Sequence, residues 1–175
     1  MFLPGIVLTG ITFPGVMAHE LAHELMCRAT KTKVLDVCYY RWGNPAGYVL
    51  HEKPANVWKS LLISLVPFVF NSTTGFLLGM ASAALYRSAG HLDFFSISLF
   101  YLGVSFAFHA FPSLQDVKAI DDELWKKETS LVAKLVCAPV VFIFGVNAVL
   151  NFVVVNMIFG LAVGGILPAL LLGVR

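Results

Sequence analysis

The sequence predicts an all-α polytopic membrane protein with about five transmembrane helices and a short β-hairpin between the first two. Of its 175 residues, 58% are hydrophobic and only 13% are charged, and the mean hydropathy is +0.82. Soluble domains carry about a quarter charged residues, so this composition is typical of a chain that lies in lipid. The polar residues are concentrated in two stretches, 32–53 and 113–128, which separate long apolar segments.

Composition also narrows the class of function. The net charge of +2 gives no basis for nucleic-acid binding. Three cysteines, odd in number and without a CxxC spacing, indicate packing residues and no disulfide framework. The length fits a single membrane-embedded domain over 1–175. The N-terminal apolar stretch has no basic segment before it, so we expect a retained membrane helix and no cleaved signal peptide.

The first helix is predicted over 5–29, and Pro14-Gly15 is expected to kink it or to let water approach. Over 33–51, β-branched and aromatic residues flank the turn sequence Gly43 to Gly47, which favours a β-hairpin at the cytoplasmic surface. The alternative for this stretch is an irregular interfacial loop.

Four further helices are predicted, and each has a signal in the sequence. Pro54 opens the second helix, over 54–86, which is expected to tilt or to bend at Pro67. A third helix, over 92–111, stops before Pro112, and Ser113 is expected to cap a short amphipathic helix after it. The last apolar stretch fits helices at 130–152 and 156–174 with a turn between Asn151 and Gly165, although its glycines and asparagines suit helix packing equally well.

The distribution of basic residues predicts the orientation in the membrane. Nine Lys and Arg residues fall in the two segments after the first and third helices, and one, Arg87, falls in the turn after the second. Basic loops stay in the cytoplasm, so the sequence predicts an N-terminus outside and the two polar segments inside. The nine are Arg28, Lys31, Lys33, Arg41, Lys53, Lys59, Lys118, Lys126 and Lys127.

The strongest motif in the chain is His19-Glu20-Leu21-Ala22-His23, an HExxH sequence near the cytoplasmic end of the first helix. Histidines four apart lie on one face of a helix, so both imidazoles can reach one zinc ion. Glu20, beside the first histidine, is suited to act as the general base toward a water molecule. Ionisable side chains in a membrane helix are costly, which argues against a cluster without function.

A catalytic zinc site needs a third protein ligand, and Asp116 is the leading candidate. It follows the proline that ends the third helix, and the predicted topology brings it to the same membrane face as His19 and His23. His109 is the second candidate. The alternative is that His109 only forms local hydrogen bonds or supports a ligand. Glu123 is expected on a solvated face, and Glu24 is expected to have a supporting or structural role. The remaining candidates are Glu52 and Glu128.

These residues resemble the motifs of the site-2-protease family of intramembrane zinc metalloproteases. That family carries HExxH, then a GPxxN-like element on the next membrane helix, then an NxxPxxxxDG-like element. Residues 19–23 match the first in full. Residues 67–71 resemble the second, without the glycine and with one more residue before Asn71. Residues 109–116 resemble the third, with His in place of Asn, one residue fewer before the aspartate and no glycine after it. These departures indicate a divergent small member of the family.

The resemblance implies a zinc-dependent intramembrane endopeptidase in which Glu20 is the base and Asp116 completes the metal site. It implies that Asn71 steadies the substrate or the oxyanion, with a helix-packing hydrogen bond as the alternative. The hairpin, through Tyr48 and Val49, is expected to pair with an unwound membrane-protein substrate.

Two rival functions remain open at this stage. One is a different membrane zinc hydrolase in which a later glutamate is the third ligand. The other is a metal-binding transport or assembly protein without proteolytic activity. The sequence leaves the substrate, the regulation and the oligomeric state undetermined.

Overall fold

The computed structural model describes residues 3–150 and 153–174, and it is mostly helical with one two-stranded antiparallel sheet. This agrees with the predicted fold class. The elements, in chain order, are α1 (Leu3–Ile11), α2 (Phe13–Ala29), β1 (Val34–Cys38), β2 (Tyr48–His51), α3 (Val57–Ala89), α4 (Phe94–Phe108), α5 (Leu114–Leu124), α6 (Leu131–Leu150), α7 (Val153–Leu161), a π-helical segment (Ala162–Ile166) and α8 (Leu167–Leu171).

The first predicted helix is interrupted at Thr12, so the expectation of one continuous helix over 5–29 is wrong. Thr12 has φ −101° and ψ 30°, outside the helical region, and α2 begins at Phe13. Pro14 explains the break, because it has no amide hydrogen and its ring clashes with the carbonyl four residues earlier. The kink expected at Pro14 is therefore present as a full interruption two residues before it.

The predicted hairpin is confirmed, and the alternative of an irregular loop throughout is wrong. Strands β1 and β2 pair antiparallel, with Val37 opposite Val49 and Cys38 opposite Tyr48. The strands cover only part of 33–51, since the connection from 39 to 47 contains no strand. This connection lies against the first two helices, because a Cβ added at Gly47 would meet the side chain of Glu20 in α2, and one added at Gly10 in α1 would meet Trp42.

Helix α3 is the long central element of the fold. The side chain of Asn56 caps its first turn, and Gly90, with φ 73°, ends it in the left-handed conformation that glycine adopts without strain. The helix starts and ends three residues later than the predicted 54–86. It passes through Pro67 without ending, so this proline removes one helical hydrogen bond inside a continuous helix.

Helices α4 and α5 form one path that returns along α3. The predicted third helix, 92–111, is shorter at both ends, since α4 covers Phe94–Phe108. The short helix expected after Ser113 is confirmed as α5, with Ser113 at its N-cap. Phe68 in the middle of α3 stacks on Phe111, and Val57 at the start of α3 clusters with Leu124 at the end of α5. Helix α5 therefore runs antiparallel to the first half of α3.

The C-terminal apolar stretch contains two helical units, near the predicted 130–152 and 156–174. Helicity is continuous from Val153 to Leu171, so the predicted turn does not fall between 153 and 165, and residues 151–152 lie outside the described part. The glycines instead have the other role considered for them, that of helix-packing residues. A Cβ on Gly164 would lie 2.5 Å from the backbone of Gly103, and one on Gly79 would lie 2.3 Å from the Gly164 carbonyl oxygen. Close helix packing here requires glycine.

Three helical stretches in the described residues are long and apolar enough to cross a membrane: Val57–Ala89, Leu131–Val149 and Val153–Leu171. The predicted number of five is not confirmed, because Phe94–Phe108 is shorter and the N-terminal path is divided at Thr12. Cys27 and Cys137 are fully buried among packed side chains, and all three cysteines are free, as expected.

The interruption at Thr12 and the interruption between α4 and α5 lie next to each other. Oγ1 of Thr12 is 2.7 Å from Nε2 of His109, the residue at which α4 ends. Non-helical backbone at membrane depth is stable where it is buried in protein or lines a water-filled cavity. The fold thus brings two irregular segments together beside the HExxH motif.

Candidate metal centre

A cavity of about 630 Å³ contains the HExxH motif and is bordered by four parts of the chain. His19, Glu20 and His23 line it from α2, and Asp116 lines it from α5. The hairpin forms another wall, from Asn44 to Val49 together with His51, and α6 and α7 contribute Ala148 and Asn156.

The two histidines face each other across one turn of α2, as the i, i+4 spacing predicts. Their Nε2 atoms are 3.2 Å apart, and the two residues are only 8% and 6% exposed. With Asp116 they form a group whose possible ligand atoms all lie within 4.8 Å of one another. Among the described residues, no other group of histidine, cysteine and carboxylate side chains meets this criterion.

Each imidazole is oriented by a backbone carbonyl at its other nitrogen. Nδ1 of His19 donates to the carbonyl of His109 at 2.7 Å, and Nδ1 of His23 donates to the carbonyl of Ile63 at 2.9 Å. Carbonyl oxygens only accept, so Nδ1 of each ring carries a proton, and in the neutral form of each imidazole Nε2 has a lone pair toward the cavity. Metal-binding histidines have this arrangement, with the second nitrogen held by a carbonyl or a carboxylate.

The spacing of the three groups fits a tetrahedral metal site. Nε2 of His23 is 3.2 Å from Nε2 of His19 and 3.2 Å from Oδ1 of Asp116, and Nε2 of His19 is 3.9 Å from Oδ2 of Asp116. Ligand atoms about 2.0–2.1 Å from a tetrahedral zinc ion are about 3.3 Å from one another. Two nitrogen lone pairs and a carboxylate at this spacing repel one another unless a proton or a metal cation lies between them. A donor set of two histidines and a carboxylate, with room for water in the cavity, is suited to a catalytic zinc ion.

Asp116 is held in place by the cap of its own helix. Its Oδ2 accepts from the backbone amide of Ser113 at 2.7 Å and from the Ser113 hydroxyl at 2.6 Å, which leaves Oδ1 toward His23. Burial raises the pKa of the Asp116 carboxyl, but protonated His23 and His19 lower it by more, so the pKa lies well below its usual range. The group is therefore ionised at neutral pH, as an oxygen ligand of a metal must be.

The other candidates for the third ligand lie elsewhere or have other partners. Nε2 of His109 is bound to Thr12, and Glu52 lies near Lys33 at 3.4 Å. Glu128 is exposed and is not among the residues that line the cavity.

Glu123 was expected on a solvated face, and this expectation is wrong. The residue is 3% exposed, and its oxygens pair with Lys53 at 3.2 Å and with Lys126 at 2.5 Å. Burial raises the pKa of the Glu123 carboxyl, and the two lysines lower it by more. The pair with Lys53 joins the end of the hairpin to α5, which also carries Asp116.

Glu24 also has a structural position, in line with one of its two predicted roles. It is buried, and it accepts hydrogen bonds from Arg28 one turn further along α2 and from the hydroxyl of Tyr39. It therefore ties the start of the hairpin connection to α2.

Asn71 lies beside the cluster and does not line the cavity. It is fully buried, and its amide donates to the carbonyl of His109 at 2.9 Å and to the carbonyl of Gly15 at 3.1 Å. The same His109 carbonyl orients His19. Asn71 thus joins three helices and fixes the acceptor that positions one ligand, while its two amide hydrogens are directed at backbone and not at a substrate.

Pro67, the other residue of this motif-like segment, acts on the second histidine. A proline has no amide hydrogen, so the carbonyl four residues earlier in the helix, that of Ile63, loses its helical donor. Nδ1 of His23 occupies that carbonyl. Residues 67 and 71 of α3 therefore each serve one histidine of α2, through a carbonyl that sequence reasoning did not identify.

Comparison with protein-family models, with curated proteins and with solved structures finds no match to this chain. The functional interpretation therefore depends on the geometry of the site.

Proposed function

We propose that this protein is a zinc-dependent intramembrane endopeptidase that cleaves peptide bonds of membrane-spanning or membrane-associated substrates. The observation that carries the proposal is the convergence of His19, His23 and Asp116, whose nitrogen and oxygen atoms lie 3.2–3.9 Å apart with both Nδ1 atoms engaged elsewhere. A glutamate in HExxH register lines the same cavity. This combination supports peptide hydrolysis better than simple metal storage, which needs no base.

In this proposal Nε2 of His19, Nε2 of His23 and Oδ1 of Asp116 hold the ion. When bound, zinc supplies a Lewis acid that polarises the scissile carbonyl and makes water a better nucleophile. Glu20 accepts a proton from the attacking water and passes it to the leaving amide nitrogen. Cγ of Glu20 lies so close to Gly47 that a Cβ at position 47 would displace the Glu20 side chain.

The proposed substrate is an extended segment of a membrane protein. Strand β2 borders the cavity with Tyr48 and Val49, and the two-stranded sheet gives it one edge without a strand partner in the described chain. A substrate helix must unwind before its peptide bonds can be attacked, and an open strand edge offers new hydrogen bonds to the unwound backbone. Apolar helices on the other side of the cavity supply the surroundings that a membrane segment requires.

The proposed location is the cell membrane, with several passes, the N-terminus outside and the active site near the cytoplasmic face. The support is the excess of Lys and Arg in the two polar segments over the single Arg87 at the opposite end of α3. Cysteine labelling at Lys33 and Lys126 tests it. Reaction of these positions with an impermeant reagent from outside intact cells would reverse the orientation.

The test of function is cleavage of a synthetic transmembrane peptide by the purified protein in lipid nanodiscs. Cleavage is expected to stop on treatment with a chelator and to return when zinc is added. Bound zinc without cleavage, together with zinc flux across vesicles, would favour the alternative of a transport protein.

A further inference from the structure

Two asparagines lie where α6 and α7 meet beside the cavity, in otherwise apolar helices. Asn156 lines the cavity, and its Oδ1 accepts from Nδ2 of Asn147 at 3.3 Å. The apolar segments that contain Asn147 and Asn156 have mean hydropathies of 2.1 and 2.2, so each amide is an isolated polar group in its segment. Polar side chains in such segments are costly and are usually functional.

The amide NH2 group of Asn156 and the carbonyl oxygen of Asn147 have no partner among the described residues. Oδ1 of Asn147 is buried without a hydrogen-bond partner in the described part of the chain. Nδ2 of Asn156 donates to no group within residues 3–150 and 153–174, and its residue is half-buried at the cavity. A buried amide without partners is destabilising, and a helix clasp alone would not require a cavity-lining donor.

We propose that Asn156, held in place by Asn147, is a binding subsite for the backbone of an extended substrate segment, and this proposal rests on the proposed function. Asn156 lines the cavity, and its Nδ2 can donate to a peptide C=O of the substrate. Asn147 lies behind it, outside the cavity lining, and orients it through the hydrogen bond to Oδ1. A peptide in the cavity has β2 on one wall and Asn156 on another. Asn156 recognises any unwound backbone and reads no side chain, so it selects for helix breaking in the substrate.

The test measures binding without cleavage. The probe is a fluorescein-labelled transmembrane peptide with a central Gly-Pro, and its Kd is measured by anisotropy with zinc-loaded Glu20→Gln protein in nanodiscs. The double variant Asn147→Leu/Asn156→Leu removes both amides together, which leaves no unpaired polar group and is expected to keep the melting temperature. The control is Val146→Leu/Val155→Leu, which adds bulk to the same two helices on side chains that do not line the cavity.

The double asparagine variant is expected to bind the peptide about three- to tenfold more weakly, the range for one or two neutral hydrogen bonds, and the valine control is expected to bind as the parent does. An unchanged Kd, or an equal loss in the valine control, would overturn the proposal. If the double variant does not fold, the Kd of the parent protein is measured for peptides in which single amides are replaced by esters. At least one replacement in the central segment must then weaken binding, and a series without effect would equally overturn it. A wild-type protein that binds the peptide through this pair and never cleaves it would contradict the proposed function alone.

Discussion

Nδ1 of His23 donates to the carbonyl of Ile63 at 2.9 Å, and this carbonyl is available because residue 67, four positions later in α3, is a proline. A helix interior usually satisfies all of its carbonyls, and proline leaves one of them without a donor. Here the free carbonyl orients a histidine of the neighbouring helix. The interrupted hydrogen bond is therefore part of the proposed metal site.

Replacing Pro67 with alanine should weaken zinc binding while stabilising α3. The new amide at 67 would bond to Ile63 and compete with His23, and loss of such a supporting contact costs about 10- to 100-fold in metal affinity. Proline within a helix costs about 3 kcal/mol, so the free energy of unfolding should rise or stay level. Zinc titration with a competing chelator measures the affinity. The control is Pro139→Ala in α6, a proline that does not line the cavity. Equal zinc affinity in Pro67→Ala and wild type would refute the role of this carbonyl.

Asn71→Ala should also lower zinc affinity, by up to about tenfold, because it acts on His19 one step further away, through the carbonyl of His109. It should cost about 1–3 kcal/mol of stability as well, since buried carbonyls lose their donor. Ser82→Ala is the matched control, a buried polar side chain of the same helix that donates to the carbonyl of Ser96. If both variants lose stability and neither loses zinc, Asn71 is only a packing residue.

Zinc content should depend on Asp116 and not on Glu123. Asp116→Ala removes an oxygen 3.2 Å from Nε2 of His23 and should leave the purified protein with little zinc. Glu123→Gln breaks the pairs with Lys53 and Lys126 and should lower stability without loss of metal. Elemental analysis of both variants decides between them. If Asp116→Ala keeps its full zinc content, Asp116 is not a zinc ligand.

A proline at Val49 should impair cleavage and leave zinc content unchanged, because it removes a backbone donor from the strand that borders the cavity. The loss should be larger for substrates with stable helices than for substrates already broken by glycine or proline. The control is Leu35→Pro, placed at the register shift of β1 between Val34 and Asp36, where an irregular strand tolerates proline. Equal cleavage of both substrate types by Val49→Pro would make the hairpin a simple connector.

The sequence predicted the parts of the site that depend on local periodicity. The spacing of His19 and His23 places them on one helix face in any context, and a proline-terminated helix followed by a capped one brings Asp116 close to them. It did not predict the carbonyl of Ile63, because the partner of a backbone carbonyl depends on how α2 and α3 align. The burial of Glu123 was missed for a similar reason, since Lys53 reaches it from the hairpin.

The catalytic role of Glu20 is the central claim, and its most direct test is the rate at which zinc-loaded Glu20→Gln cleaves a transmembrane peptide. The amide keeps the size of the side chain and cannot accept the proton of the attacking water. At equal zinc content and equal melting temperature, the account predicts a rate about 10²- to 10⁴-fold below that of the wild type, the usual contribution of a general base. A rate near that of the wild type would contradict it.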